Sequence, residues 1–562
     1  MDGASNRAGF SLWISLVAAI GLLNITLAFA NVWPTLAITW RGDLSAELAL
    51  VLLAFVWRSR RTLLPPPLAP ESPLLRRLRW VWVFLAVGHY IDATARSLYG
   101  RDVNLYWDLQ LMPNVSAMFV SVANVALVVA VVASVVLVPW LLSFPLRWAF
   151  RRVAEDSRVP VAQRVMVGWS VVVLALGALQ VAGFPVPYAP QVLPPVSLAY
   201  ASEAVEVAYE ASGWGRKPVP AAPSMDANLA RVRNADVLLI FLEAYGVVAW
   251  EQPGLVRELA ASRERLVRDI RDTGREVVSA MVESTTFGGE SWLAQVSLLA
   301  GTEVRDQDVY IRLMAERDRD TMVKVFGRRG FRTVMVMPGL QRGWPEGDFY
   351  GFGTIYGTSA LNYQGPPFSW WDLTDQFALA RLDQLEVAKT DRAPLFAVFP
   401  TISSHAPFTP APPYQPDWQK VLTAEPYDQS ALDAAYSGPA DWTNLTPSYA
   451  EALKYATTTL GGYLRLRADR DLVMVIVGDH QPAAMVSGEG ASWDVPVHIV
   501  TSRPAVLSGL RDQGFRDGLE PARTVIATMD GLMMKLLDAF SEAGPRYDRS
   551  GTEQGSSRTG QQ

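Results

Sequence analysis

Three charge-free apolar runs in the first third of the chain, Phe10–Trp33, Ala117–Leu142 and Val165–Phe184, constrain the fold more than any other feature. Each holds the roughly 20 apolar residues that a helix rising ~1.5 Å per residue needs to cross ~30 Å of hydrocarbon. One such run could be a core helix of a soluble domain; three read as membrane spans. Two shorter runs, Ala46–Trp57 and Trp80–Ile91, complete a set of five. The first run is not read as a signal peptide, because it has little basic head and further spans follow it. Basic residues gather in "RSRR" and "LLRRLR", between the second and third runs, and in "RWAFRR", between the fourth and fifth. The positive-inside rule puts both loops in the cytoplasm, and everything after about residue 186 on the outer side.

Past the Pro-rich "FPVPYAPQVLPPVSLAY", short apolar runs alternate with amphipathic stretches such as "LVRELAASRERLVRDIRD" and "YAEALKYATTTLGGYLRLRAD". The runs Asp236–Glu243, Glu276–Glu283, Arg332–Met337, Leu395–Phe399, Leu472–His480 and Val495–Val500 read as strands. Their near-continuous hydrophobicity predicts strands covered on both faces, hence a mainly parallel sheet sandwiched by helices. The expected organisation is an α-helical transmembrane bundle (1–186), a linker (187–233), an α/β domain (234–545) and a disordered tail (546–562).

In such sheets ligands bind beyond the carboxyl ends of the strands. Glu243 ends the first strand, and "STTFGGESWLAQVSLLAG" follows the second. "ISSHAPF", with His405, follows the fourth, and Asp479–His480 end the fifth. Singly, Glu243 reads as a turn residue, His405 as a hydrogen-bonded loop histidine, and His498, inside "VPVHIV", as structural. His89 lies in or near a span and has no evident partner. Together, Glu243, Asp479 and His480 could hold one divalent ion with a position open for a hydroxyl. Ser291, after the Gly288–Gly289 turn, stands near a helix start, where it could equally be an N-cap. The chain has no cysteine and four histidines, so any metal site leans on oxygen ligands. A net charge of −5, with no basic domain, argues against a nucleic-acid partner.

With these motifs assembled ("VLLIFLEAYG", "GESWLAQVSLLAG", "SSHAPF", "VIVGDHQP"), the chain resembles the alkaline phosphatase/sulfatase-like superfamily. Within it, the chain looks like the membrane-anchored lipoteichoic acid synthase group and its relatives, which transfer phosphoglycerol or phosphoethanolamine in the bacterial envelope. The resemblance implies a multi-pass protein of the bacterial cell membrane with an extracytoplasmic catalytic domain. It makes Glu243, Asp479 and His480 ligands of a divalent ion (Mn²⁺, Mg²⁺ or Zn²⁺) and His405 a contact for the phosphate or leaving group. It makes Ser291, ten residues before Gly301, both nucleophile and metal ligand, with Thr285 and Thr286 as alternatives. The transferases of this group usually carry threonine at that position. Trp344, and Arg342 in a shifted position, correspond to substrate-binding residues, but the histidine expected near them is absent. "SWLAQ" has Leu and Gln where a sulfatase's formylglycine signature requires Pro or Ala and then Arg. The implied activity is transfer of a phospho-head group from a membrane phospholipid to a glycan or lipid acceptor through a covalent serine intermediate. A phosphodiesterase or phosphatase using water shares the first half-reaction. A non-catalytic envelope scaffold is the reading from another class.

Overall fold

The computed structural model describes residues 2–61, 72–100, 103–122, 125–184, 186–214, 216, 218–340, 343–368, 370–438 and 440–542. The expected tail and Arg342 lie outside the described residues.

The first part of the chain is helical: α1 (Asp2–Ile25), α2 (Ala46–Arg61), α3 (Pro73–Tyr99), α4 (Leu105–Val122), α5 (Val125–Asp156) and α6 (Pro160–Val181). Helices α1, α2, α3, α5 and α6 share one apolar cluster, to which Leu16, Leu48, Trp82, Phe150 and Met166 contribute in turn. Among the described residues, two helices, Val125–Asp156 and Pro160–Val181, are long and apolar enough to cross a membrane. At 16 residues α2 reaches ~24 Å, short of the ~30 Å core. The expected Ala117–Leu142 run does not form a single helix of its own: its first residues end α4, and α5 begins at Val125. The stretch expected as a linker carries a 17-residue helix, α7 (Val196–Ser212).

The second part is built on nine strands: β1 (Asp236–Leu242), β2 (Glu276–Glu283), β3 (Arg332–Met337), β4 (Thr354–Gly357), β5 (Leu395–Pro400), β6 (Leu472–Gly478), β7 (Asp494–Thr501), β8 (Arg516–Asp517) and β9 (Val525–Thr528). They form one sheet in the order β8-β2-β7-β6-β1-β5-β3-β4, with β9 also paired to β2. The central strands are buried on both faces, as the continuous apolar runs require. Val237, Leu239 and Phe241 of β1 belong to one core cluster, while Leu238, Ile240 and Leu242 belong to the other. The sheet is mixed rather than purely parallel: β7 runs antiparallel to both β6 and β2, and β8 antiparallel to β2. The reason is the connection. Only a one-turn helix, Ala484–Ser487, separates β6 from β7, and a parallel return would need a full crossover.

Helices cover the two faces. On one face lies α8 (Pro253–Asp272), which starts with proline in its first turn and buries Leu255, Leu259, Leu266 and Ile270 as a single stripe. It packs on α10 (Thr446–Leu466). On the other face, α9 (Ser291–Ala300) sends Leu293, Val296 and Leu299 into the core. Each such fully buried side chain contributes about 1.5–3 kcal/mol. These covers leave one end of the sheet, where β1, β5 and β6 finish, free for a site.

Candidate active site at the strand ends

Strand β1 delivers Glu243 and β6 delivers Asp479 and His480 to the same point, because the two strands are parallel neighbours in register from Asp236–Leu472 to Leu242–Gly478. The approach is close: a Cβ on Gly478 would stand 1.9 Å from the Tyr245 carbonyl oxygen, so only glycine fits there. Beyond β2, Gly288 (φ 70°), Gly289 (φ 151°) and Glu290 (φ 60°) turn the chain into α9. Glycine suits the first two positions; Glu290 adopts the left-handed region without that freedom.

The Ser291 hydroxyl therefore sits at the start of α9, 3.1 Å from Glu243 Oε2 and 3.1 Å from His480 Nε2. His480 Nε2 is 3.4 Å from Glu243 Oε1 and 3.8 Å from Asp479 Oδ1. The ligand atoms of Glu243, Asp479 and His480 lie within 4.8 Å of one another, and all three residues are buried. His480 Nδ1 lies 2.7 Å from the Gln481 carbonyl oxygen. That bond places a proton on Nδ1 and turns the Nε2 position toward Ser291 and Glu243.

Two buried carboxylates at this distance crowd negative charge. Burial, followed by the charge of Glu243, drives the Asp479 carboxyl up. Burial also works to raise Glu243, but the hydrogen bond and charge of His480, with His405 adding, hold it below the usual range. Burial opposes a charge on His480, yet Asp479 and Glu243 raise its pKa to about 9. A site with this appetite for positive charge, offering two carboxylate groups, an imidazole nitrogen and a hydroxyl, fits one divalent cation.

Several residues that the motifs did not single out hold this group in place. The backbone N–H groups of Ala244 and His480 both donate to Asp479 Oδ1 at 2.8 Å. Ala244 adopts φ 54°, and Tyr449 of α10 donates to its carbonyl at 2.8 Å. Thr401 accepts from the Glu243 N–H, and the Ser404 hydroxyl donates to the Glu243 carbonyl. Asp375 accepts the N–H groups of Ile402 (2.7 Å) and Ser403 (3.0 Å), and so shapes the loop that carries His405. Gln481, beside the Asp-His pair, was within reach of motif reading. Asp375 and Tyr449 lie far away in sequence and look like ordinary helix residues.

The remaining expected residues fall as follows. His405 lies at the rim, edge to face with Trp371, and its charge is felt at Glu243. Trp344 instead stacks on Tyr350 and packs against the core. Thr286 donates to the Gly289 carbonyl at 2.6 Å, and buried Thr285 accepts from Ser297 at 3.3 Å, so both hydroxyls are engaged in the loop's own structure. His498 lies inside the sheet, between Ser279 and Tyr245, away from the cluster.

The fold and site thus define an α/β domain with a buried acid–imidazole–hydroxyl cluster able to hold a metal ion at its strand ends. Residues 305–499 match the family model described as Sulfatase, and the domain carries the fold of the alkaline phosphatase/sulfatase-like superfamily. No characterised protein matches the sequence significantly. Among solved structures, the chain is similar to lipooligosaccharide phosphoethanolamine transferase A (EptA) from Neisseria meningitidis (14% identity, TM-score 0.45, covering 93% of this chain and 96% of that one). It is also similar to the lipoteichoic acid synthase LtaP from Listeria monocytogenes (15%, TM-score 0.39, 57% and 78%) and to the phosphoglycerol transferase GacH from Streptococcus pyogenes (10%, TM-score 0.32, 61% and 91%).

Proposed function

We propose that this chain is a membrane-anchored, metal-dependent phosphotransferase that moves a phosphoglycerol or phosphoethanolamine group from a phospholipid to an envelope glycan or lipid. The observation that carries the reading is the Ser291 hydroxyl, held 3.1 Å from both Glu243 and His480 at the amino end of a helix. Glu243, Asp479, His480 and Ser291 would hold one divalent ion (Mn²⁺, Mg²⁺ or Zn²⁺). Such an ion supplies positive charge against the phosphoryl oxygens and lowers the pKa of the serine hydroxyl.

Ser291 Oγ attacks phosphorus as its proton passes to Glu243 Oε2. The bond from phosphorus to the diacylglycerol oxygen breaks, and His405 protonates that oxygen. The first turn of α9 presents the positive end of its dipole to the phosphoryl group. An acceptor hydroxyl then gives its proton to His405 and attacks the phosphoserine ester, and as the bond from phosphorus to Ser291 Oγ breaks Glu243 returns the proton to Ser291. In this reading residues 1–186 anchor the chain in a bacterial cell membrane through five spans. Residues 234–545 work on the outer side.

Intact-mass spectrometry tests it. With Mn²⁺ and phosphatidylglycerol or phosphatidylethanolamine, the wild type is expected to gain a phosphoglycerol or phosphoethanolamine mass on Ser291, and Ser291→Ala to gain none. A manganese-loaded protein that forms no adduct and releases no diacylglycerol from either lipid would refute transfer from these donors.

A further inference from the structure

Helix α7 is amphipathic in the wrong sense for a helix bathed in water. Its half-buried stripe is Tyr200, Glu203, Val207 and Glu210, spaced to face the protein. Its opposite face presents Leu198 (63% exposed), Val205 (54%) and Tyr209 (44%), with Glu206 at the margin. Two of the helix's three acids therefore point inward, where Glu203 accepts the Leu105 N–H at 3.4 Å, while its large apolar side chains point away from the protein. An apolar face of this size needs cover.

The surroundings indicate what covers it. The Ser197 N–H donates to Glu47 at the amino end of α2, which sets the start of α7 beside the outer ends of the helical bundle. Tyr200 reaches into α3, its ring 5.3 Å from that of Phe84 and its hydroxyl where a Cβ on Gly88 would stand. The Gln180 side chain pins the intervening loop by bonding Pro190 and Val192, so the chain folds back beside α6 instead of leaving it. From the end of α6 onward a band of exposed apolar side chains takes in Val181, Phe184 and Tyr188, then Leu198 and Val205, with Trp214 stacked on Tyr209. Aromatic rings at the edge of such a band suit the boundary between hydrocarbon and head groups.

We infer that α7 lies in the membrane leaflet on the catalytic side, with its Leu198–Val205–Tyr209 face against lipid tails and the Tyr209–Trp214 stack at head-group level. The inference rests on the membrane-spanning reading above. It carries a consequence for the site. The carboxyl end of α3 packs at Gly100 against Phe287, four residues before Ser291, and α3 also packs on the Ala484–Ser487 turn that follows His480. With α7 in the leaflet, the catalytic cluster is held at the bilayer surface, where a donor phosphate reaches Ser291 without leaving the head-group layer.

The chain has no cysteine, so single-cysteine variants of the full protein can be spin-labelled cleanly. Leu198→Cys and Val205→Cys would be compared with Val132→Cys on α5 and Val267→Cys on α8. The labelled proteins would be held in nanodiscs of phosphatidylethanolamine and phosphatidylglycerol, and collision with oxygen and with a nickel chelate measured. The expected result is an oxygen-to-nickel ratio at positions 198 and 205 several-fold above that at 267 and close to that at 132. Nickel access at 198 and 205 with lipid-like values at 132 would overturn the placement of α7 alone. Nickel access at 132 as well would overturn the membrane reading beneath it. Dipolar broadening between labels at 205 would assign the face to a second copy of the chain and overturn the lipid assignment.

Discussion

Replacing His498 by glutamine isolates one buried imidazole whose protonation the fold does not tolerate. Its Nδ1 lies 2.7 Å from Ser279 Oγ, which itself donates to the Gly518 carbonyl, so Nδ1 carries the proton. Its Nε2 accepts from the Tyr245 hydroxyl at 3.2 Å, and that hydroxyl in turn accepts from Trp250 Nε1 at 2.9 Å. A second proton would have no acceptor and would lie near the Arg263 guanidinium. Burial, with the charge of Arg263 adding, accordingly pushes the imidazole down to about 3 from 6.5. A depressed histidine contributes stability that is complete above about pH 6.5 and is lost as the pH falls toward about 3. Between pH 7 and pH 5 the loss is about 2 kcal/mol, since the unfolded chain takes up the proton and the folded chain refuses it. For a domain of this size that is a fall of about 4 °C in Tm. Glutamine lowers stability at both pH values, but it cannot titrate. Thermal melts of wild type and His498→Gln, followed by intrinsic fluorescence at pH 7 and pH 5, should therefore show the gap between them narrowing by that amount. A gap independent of pH would refute the reasoning.

Three further outcomes are expected. Gly478→Ala forces a Cβ toward the Tyr245 carbonyl and displaces Asp479, so Mn²⁺ affinity measured by calorimetry should fall at least about tenfold, with a stability cost of about 1–3 kcal/mol. Asp375→Asn keeps one of the two bonds to the Ile402 and Ser403 amides; a loss of about 1–3 kcal/mol in urea unfolding is expected, with turnover reduced more than metal affinity. Chelation of the wild type should lower Tm to match a loss of about 2.7 kcal/mol when the metal had stood at about 100 times its Kd, whereas Glu243→Gln should show a much smaller response.

The sequence alone determined the division into an apolar helical part and an α/β part, because burial leaves a periodic signature in every segment that undergoes it. The six long strands were legible within a residue or two for the same reason: a strand covered on both faces must be apolar along its length, as Val237 to Leu242 of β1 are, with the buried Asp236 at its start paired to Arg392. Glu243, Ser291, Asp479 and His480 were legible as candidates, since strand ends in such sheets are where polar groups cluster. Tertiary structure decided what those residues share. That β1 and β6 are neighbours, that Gly478 lets the Tyr245 carbonyl pass, and that Ser291 rather than Thr285 or Thr286 faces the carboxylates all depend on pairings between residues some 200 positions apart. The supporting bond of Tyr449 to Ala244 depends on such a pairing too, whereas Asp375 reaches a loop 27 positions on and β7 reverses through a short local connection. The outward apolar face of α7 was hidden for a related reason. Alternating polar and apolar residues show that a helix has two faces, and only its neighbours decide which face is turned to the protein.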